Sequence, residues 1–300
     1  MRFSWMMAAG TALAMAVGSV LAADKVTLEH NGLDMVGHFQ EGAGAAPEDG
    51  VVMLLHGTLA HGRMEIMGAM QDQLAARGYN TLSVNLSYGI DAREGMFECD
   101  VAVRHGVEGH LDELEAWQGW LRDEGYGPLT LMGHSRGGNQ MARYLTERDP
   151  DAIRALVLVA PSTYDEGAAR AAYEDQSGTP LQVLLDRAHE LQRMGQDDTL
   201  LEGVRFLHCG ELDVTPAAFL GYYEPTSRHN TPSVIDGVRV PTLVVIGSED
   251  DVVPDLPERM EAVPDSGAIT VKTVDGADHF FRDFFADDVV DFSAGFLDRN

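Results

Sequence analysis

The hydrophobic positions of the chain fall into short apolar runs that alternate with segments of helical periodicity. The apolar runs predict buried strands at residues 51–55, 81–86, 129–132, 153–159, 242–246 and 269–274. Helical patterns predict helices at residues 64–77, 107–121, 139–145, 258–262 and 287–297. This alternation favours an α/β fold with a mostly parallel sheet covered by helices on both faces.

Two stretches depart from the alternation. Residues 26–30 and 33–39 flank Asn31-Gly32, a dipeptide typical of a two-residue turn between antiparallel strands. Residues 162–238 show no strand–helix alternation, and their patterns predict helical pieces at 168–173 and 181–194 separated by loops. We therefore predict one α/β core, formed by residues 23–161 and 239–300, and a largely helical insertion at residues 162–238.

The first 22 residues have the character of a signal peptide. Arg2 supplies a positive charge, residues 5–20 are apolar and uncharged, and Val20-Leu21-Ala22 offers a small-residue cleavage site. The alternative is a membrane anchor, but the apolar stretch is short for a span and no basic stop-transfer segment follows it. We expect cleavage after Ala22, a periplasmic or secreted protein, and no integral membrane segment in the mature chain.

The composition is strongly acidic. Aspartate and glutamate number 48 against 21 lysine and arginine residues, which gives a formal net charge of −27. Such a charge repels phosphate backbones and anionic lipid head groups, so nucleic acid and anionic membranes are poor partners.

A Gly-x-Ser-x-Gly motif, Gly133 to Gly137, lies between the predicted strand 129–132 and the predicted helix 139–145. Glycines two residues to either side of Ser135 let the two backbones approach without a Cβ clash. The turn exposes the serine hydroxyl and directs the first N–H groups of the helix at the atom that the hydroxyl attacks. The alternative is an ordinary serine in a tight turn.

With this motif the chain resembles the α/β-hydrolase superfamily, with Ser135 as the nucleophile. The resemblance implies an α/β-hydrolase fold in which residues 162–238 form a cap. The segment from Gly247 to Pro254 resembles the acid loop of the family, and its spacing favours Asp250 as the triad acid. The adjacent acids Glu249 and Asp251 remain alternatives. His279 follows the last predicted strand, where the family places its base.

The same resemblance implies an oxyanion hole. The segment His56-Gly57-Thr58-Leu59 marks the backbone N–H of Thr58 as one donor, with Leu59 as the nearest competitor, and the N–H of Arg136 as the other. We expect His56 to hold this loop through side-chain hydrogen bonds. The Arg136 side chain replaces the apolar residue often found after the nucleophile; contact with an anionic substrate is possible, but the many acids favour an ion pair.

These residues predict acyl transfer to water through an acyl-serine, with Ser135, Asp250 and His279 as the triad and no cofactor. Hydrolysis of a carboxylic ester, a small-molecule substrate, is the first hypothesis. A peptidase, a thioesterase or a C–C bond hydrolase would use the same triad, and a non-catalytic ligand-binding protein is a further alternative. The residues expected to contact substrate are Leu59, Phe219, Tyr222 and Tyr223, although the aromatic ones suit packing of the cap equally well.

The chain has two cysteines, Cys99 and Cys209. We predict a disulfide between them that ties the insertion to the core, because both lie beyond the carboxyl ends of parallel strands and export favours pairing. Two unpaired thiols are the alternative. Together with His105, His110 and His208 the cysteines match no zinc spacing, so we predict no metal site.

Overall fold

The computed structural model describes residues 22–300, so the predicted signal peptide lies outside the described residues except for Ala22. The strands are β1 (Asp24–His30), β2 (Leu33–Gln40), β3 (Val51–Leu55), β4 (Asn80–Val84), β5 (Leu129–His134), β6 (Ile153–Val159), β7 (Leu201–Phe206), β8 (Cys209–Val214), β9 (Thr242–Gly247) and β10 (Ile269–Val274). Eight of them form one sheet in the order β1-β2-β4-β3-β5-β6-β9-β10. Strands β1 and β2 form the antiparallel hairpin that Asn31-Gly32 predicts, and from β4 to β10 all pairs are parallel.

Helices cover the sheet. They are α1 (Glu65–Ala76), α2 (Val107–Asp123), α3 (Arg136–Arg148), α4 (Glu166–Ser177), α5 (Leu181–Arg193), α6 (Pro216–Tyr223), α7 (Thr231–Ile235), α8 (Leu256–Glu261) and α9 (Phe285–Leu297). Helix α1 packs against α9, and α2 packs against α3. The prediction of a mostly parallel sheet flanked by helices, in an α/β-hydrolase fold, is confirmed.

The buried strands explain the apolar runs of the sequence. Every residue of β3, β4, β5 and β9 is buried, because helices cover these central strands on both faces. The edge strand β1 instead alternates between exposed and half-buried positions. The apolar runs of β3 and β9 therefore mark the centre of the sheet, and alternation marks its antiparallel edge. Strand β4 is equally buried although Asn80, Thr81 and Ser83 are polar.

The chain leaves the sheet between β6 and β9, where the sequence predicts the insertion. Helices α4 to α7 lie here, as does a two-stranded antiparallel hairpin, β7–β8, that the sequence analysis missed. Buried residues alternate only imperfectly in this hairpin, because register shifts interrupt its pairing. A short, bulged pair of strands has too weak a period to be recognised from the sequence.

The loop between β4 and α2 joins the insertion to the core. Cys99, in this loop, forms a disulfide with Cys209 at the start of β8, with their Cα atoms 5.5 Å apart. Close by, Val103 makes a parallel bridge to Val214. Within residues 22–300, no helix has both the length and the apolar character needed to cross a membrane.

Candidate active site

Four predicted site residues follow directly after parallel strands. Thr58 comes after β3, Ser135 after β5, Asp250 after β9 and His279 after β10. The carboxyl ends of parallel strands lie at one edge of the sheet, and ligand sites of open α/β sheets are found there. The fold therefore brings together residues that are far apart in the sequence.

Ser135 occupies a sharp turn between β5 and α3, with φ 56° and ψ −124°. The flanking glycines make this turn possible. A Cβ on Gly137 would lie 2.3 Å from the carbonyl oxygen of His56, and one on Gly133 would lie 2.5 Å from the carbonyl oxygen of Gly137. Both contacts are far too short for a real Cβ, so the motif requires glycine at both positions.

Ser135, His279 and Asp250 form a continuous line of hydrogen bonds. Oγ of Ser135 lies 3.0 Å from Nε2 of His279, and Nδ1 of His279 lies 2.8 Å from Oδ2 of Asp250. The side chains of His279 and Asp250 are only 3% and 2% exposed. In this arrangement the imidazole donates Nδ1–H to the carboxylate and accepts the serine hydroxyl proton at Nε2, which is the geometry of a general base.

The second oxygen of Asp250 is held by its own loop. Oδ1 accepts hydrogen bonds from the N–H groups of Val252 and Val253, at 2.9 and 3.0 Å. Burial alone would raise the pKa of Asp250, but the hydrogen bonds from His279 and from these two N–H groups hold it below its ordinary value. Glu249 and Asp251 are exposed. Of the three consecutive acids, Asp250 is therefore the one in contact with the imidazole.

His56 holds the loop after β3. Burial and the nearby charge of Arg93 lower the pKa of His56 to about 3, so its ring is neutral. Nδ1–H donates to the Gly57 carbonyl at 2.9 Å, and Nε2 accepts from the Leu86 N–H at 3.2 Å. The imidazole thus fixes the loop from both ring nitrogens.

This loop lies directly beside Ser135, since a Cβ on Gly57 would be 3.2 Å from the Cβ of Ser135. The N–H groups of Thr58 and Arg136 have no hydrogen-bond acceptor among the described residues. The backbone of the competitor, Leu59, instead interacts with the Tyr88 hydroxyl and opposes the rise that burial causes in its pKa. The loop therefore offers Thr58, and the start of α3 offers Arg136, as free donors on either side of Ser135.

His134 is a site residue that the sequence analysis missed. Its Nε2 donates to the backbone carbonyl of His279 at 2.9 Å, across 145 positions of the sequence. Burial lowers the pKa of His134 to about 4, so that its ring stays neutral. Its position between Gly133 and Ser135 was the available signal, but the sequence could not identify a partner so distant.

The predicted substrate-contacting residues separate into two groups. Tyr222 lies beside the Arg136 guanidinium, whose Cζ is 5.1 Å from the centre of the ring. Phe219, by contrast, is fully buried and packs against Tyr223, whose hydroxyl accepts a hydrogen bond from a backbone N–H of the insertion. Leu59 is also almost fully buried, at 1% exposure. As a correction to the predicted set, Phe219 has no surface left for a ligand, because it fills the interior of the insertion.

Two buried histidines, His105 and His110, form a chain of hydrogen bonds that reaches the Tyr222 hydroxyl. The Gln140 amide donates to Nδ1 of His110 at 2.6 Å, so Nε2–H of His110 donates to Nδ1 of His105, 3.2 Å away. The Tyr222 hydroxyl contacts the same atom of His105 at 3.4 Å. Burial lowers the pKa of His105 to about 3 and that of His110 well below its ordinary value, so both rings are neutral.

Three of the candidate metal ligands of the sequence lie together, but two of them are bonded to each other. Cys99, His208 and Cys209 lie together, with their ligand atoms within 4.8 Å of one another. Because the two cysteines are bonded to each other, neither sulfur is available as a thiolate. His105 and His110 are not part of this group, and their rings are hydrogen-bonded to each other.

The Arg136 side chain extends between the loop after β3 and the insertion. Its Nε donates to Oγ1 of Thr58 at 3.2 Å, and its guanidinium lies over the Tyr222 ring. It pairs with no carboxylate in the part of the chain that the structure describes, so the expected ion pair is wrong.

Comparison with known proteins agrees with this architecture. Est1E from Butyrivibrio proteoclasticus superposes with a TM-score of 0.62 at 15% identity, covering 93% of this chain and 100% of that one. A monoacylglycerol lipase from Paleococcus ferrophilus superposes with a TM-score of 0.59 at 16% identity, covering 89% and 100%. An esterase from Pyrococcus furiosus superposes with a TM-score of 0.58 at 17% identity, covering 92% of this chain and 90% of that one. At such identities the likeness concerns the fold, and a search of curated protein sequences gave no match.

The sequence itself matches a family model over most of its length. The model describes the alpha/beta hydrolase family, and the match extends from residue 52 to residue 292. This range includes the loop after β3, the turn at Ser135 and the loops that carry Asp250 and His279. The chain therefore belongs to the alpha/beta hydrolase family.

Proposed function

We propose that this protein is a serine hydrolase that cleaves a carboxylic ester through an acyl-enzyme. The observation that carries the proposal is the hydrogen-bonded line from Ser135 Oγ through His279 to Asp250, with spacings of 3.0 and 2.8 Å. A serine hydroxyl is a weak nucleophile, and it needs a base within hydrogen-bond reach that is itself oriented by a carboxylate. The contacts of His279 with Ser135 and with Asp250 support both requirements.

In the acylation step, Oγ of Ser135 attacks the ester carbonyl while Nε2 of His279 takes the hydroxyl proton. The ionised Asp250 stabilises the imidazolium that forms. The carbonyl oxygen becomes an oxyanion, and the free N–H groups of Thr58 and Arg136 are the donors available to bind it. When the tetrahedral intermediate collapses, His279 returns the proton to the departing alcohol.

Deacylation repeats these steps with water as the nucleophile. His279 takes a proton from water, the hydroxide attacks the acyl carbon, and the same two N–H groups bind the second oxyanion. Collapse of this intermediate breaks the bond to Ser135 Oγ, which regains its proton from His279. The products are one carboxylic acid and one alcohol.

The choice of an ester over an amide or thioester rests on the structural relatives. Two of the similar folds are named as esterases or lipases, a Pyrococcus furiosus esterase and a Paleococcus ferrophilus monoacylglycerol lipase. The triad itself would serve each of these reactions.

The proposal is tested with a panel of p-nitrophenyl esters of graded chain length, p-nitrophenyl thioesters and aminoacyl p-nitroanilides. We expect the esters to give the highest kcat/KM. We expect Ser135→Ala to remove turnover by several orders of magnitude, about 10⁶ in kcat for a comparable triad, while the protein keeps its fold. Activity of the variant within tenfold of the wild type would refute the assignment, and faster turnover of anilides would move the proposal to a peptidase.

We further propose that the protein acts outside the cytoplasm. The signal-like character of residues 1–22 supports this, as does the Cys99–Cys209 disulfide, since such bonds persist in oxidising compartments. N-terminal sequencing of the protein from its native host should give Ala23 as the first residue. A cytosolic protein that retains Met1 would contradict the proposal.

A further inference from the structure

We propose that the guanidinium of Arg136 binds a carboxylate on the substrate, so that the preferred substrate is an ester with an anionic group. The inference rests on the proposed function and narrows its substrate class. It concerns the side chain of Arg136, whereas the oxyanion donor is the backbone N–H of the same residue.

The position of the side chain is the first support. Arg136 follows the nucleophile directly, and its Nε bonds to Oγ1 of Thr58, on the loop that flanks Ser135. On its other side the guanidinium lies over the Tyr222 ring of the insertion. A substrate that reaches Ser135 between the core and the insertion therefore passes this group.

The free donors of the side chain are the second support. Only Nε has a hydrogen-bond acceptor among residues 22–300, so both terminal nitrogens keep their N–H groups unpaired. The contact with Thr58 and the aromatic ring fixes the orientation of the planar guanidinium. Such a fork binds a carboxylate through two parallel hydrogen bonds, a geometry that favours arginine over lysine.

The neutral surroundings of Arg136 are the third support. Burial raises the pKa of Tyr88 and Tyr222, and burial lowers the pKa of His110 and His229, so these neighbours carry no charge at neutral pH. None of these four side chains supplies a negative charge to the guanidinium, and Glu113, whose carboxylate acts on Tyr88 and Tyr222, is hydrogen-bonded to Ser87.

Two other arginines, near the place where the core meets the insertion, differ from Arg136 because they have carboxylate partners. Arg143 and Arg228 share the carboxylates of Glu108 and Glu147, where core helices meet the insertion. With 48 acids and 21 basic residues, the chain supplies partners readily. An arginine that lacks a carboxylate beside the nucleophile is therefore suited to take one from a ligand.

The net charge of −27 does not prevent this interaction. Repulsion between the distant surface charges and an anionic substrate is screened over about 8 Å at physiological ionic strength. A direct ion pair acts over a much shorter distance and is screened less. The attraction between Arg136 and the substrate carboxylate therefore outweighs the repulsion from the distant surface charges.

The test compares two pairs of matched esters, each with one neutral and one anionic member. Ethyl butyrate and monoethyl succinate differ by a carboxylate on the acyl side, and phenyl acetate and 4-acetoxybenzoate differ by one on the alcohol side. We expect the wild type to prefer the anionic member of at least one pair by about tenfold or more in kcat/KM, as for a hydrogen bond to a charged group. High salt should reduce this preference.

The variants assign the preference to the side chain. In Arg136→Gln the kcat/KM of the anionic ester divided by that of its neutral partner should be close to one. Arg136→Lys keeps the charge and should therefore retain part of the preference for the anionic ester. Because the ratio is taken within each variant, general damage to the oxyanion hole cancels. Circular dichroism verifies that both variants are folded.

The outcomes separate the two proposals. Turnover of the esters by the wild type without an anionic preference in either pair would overturn this inference alone. A preference that Arg136→Gln leaves unchanged would do the same. Absence of turnover with every ester would overturn the proposed function and this inference with it.

Discussion

Oδ2 of Asp250 lies 2.8 Å from Nδ1 of His279, whereas the acids on either side of Asp250 are exposed to solvent. Three acids stand in a row after β9, and their charge alone does not distinguish them. The N–H groups of Val252 and Val253 fix the carboxylate of Asp250 in position to face the imidazole. The local backbone therefore determines which acid serves the site.

This contact predicts a sharp difference between neighbouring variants. Asp250→Asn should lower kcat by about 10⁴, because an amide in place of the carboxylate favours the wrong tautomer of His279. Asp251→Asn removes one charge at the adjacent exposed position and should change kcat little. Steady-state kinetics with p-nitrophenyl acetate measure both, and the opposite ranking would transfer the role to Asp251.

The turn at Ser135 predicts that Gly137 tolerates no side chain. In Gly137→Ala the new Cβ would lie 2.3 Å from the carbonyl oxygen of His56, so we expect a lower melting temperature and a large loss of activity. Gly109→Ala is the matched control, because Gly109 lies in α2 with open space around it. Alanine there should stabilise the protein by about 0.5–1 kcal/mol. Near-normal melting and activity of Gly137→Ala would contradict the described turn.

The Cys99–Cys209 bond predicts the result of a thiol titration. The denatured, unreduced protein should show no free thiol, and reduction should release two per chain. The bond closes a long loop, with a sequence separation of 110, and restricts the unfolded chain. The double variant Cys99→Ser and Cys209→Ser should therefore lose roughly 4 kcal/mol of unfolding free energy. Two free thiols in the unreduced protein would contradict the structure.

The buried histidines predict loss of stability in mild acid. Burial lowers the pKa of His56 and His105 to about 3 and that of His134 to about 4, from an ordinary value of 6.5. Below pH 6.5 the unfolded chain therefore binds protons that the folded chain does not, and the unfolding free energy falls as the pH falls.

Urea unfolding between about pH 7 and pH 5.5 measures the slope of the unfolding free energy against pH. In this range the carboxylates remain mostly ionised. The contribution of these histidines to the unfolding free energy is fully present above pH 6.5. It decreases as the pH falls toward their pKa values in the folded state. His105→Phe should give a shallower slope than the wild type, because one such proton is no longer taken up on unfolding. A flat wild-type profile, or an unchanged slope in the variant, would show that these rings are not held neutral.

The sequence predicts those features that depend on local patterns. The apolar runs identify β3 and the other parallel strands to within one or two residues, because strands buried on both faces need continuous apolar side chains. The glycines around Ser135 indicate the turn, because Gly133 approaches the backbone of Gly137 within the motif, although Gly137 itself makes its closest contact with the distant His56. His56 is likewise predictable as a loop anchor, since its partners lie next to it in the chain or just after the neighbouring strand β4.

The features that the sequence does not predict depend on distant contacts. His134 bonds to a carbonyl 145 positions away, and the environment of Arg136 depends on a tyrosine of the insertion. An expected ion pair for Arg136 followed from composition, which counts acids without locating them. The hairpin β7–β8 was missed because its buried positions alternate over few residues and its register shifts.

The central claim is that His279 activates Ser135 as a covalent nucleophile, and labelling with a fluorophosphonate tests it most directly. Intact-mass spectrometry should show one adduct per chain, and peptide mapping should place it on Ser135. Ser135→Ala should give no adduct at the same probe concentration, and His279→Ala should label far more slowly because the base is absent. A wild-type protein that remains unlabelled, or an adduct on another residue with Ser135 unmodified, would contradict the account.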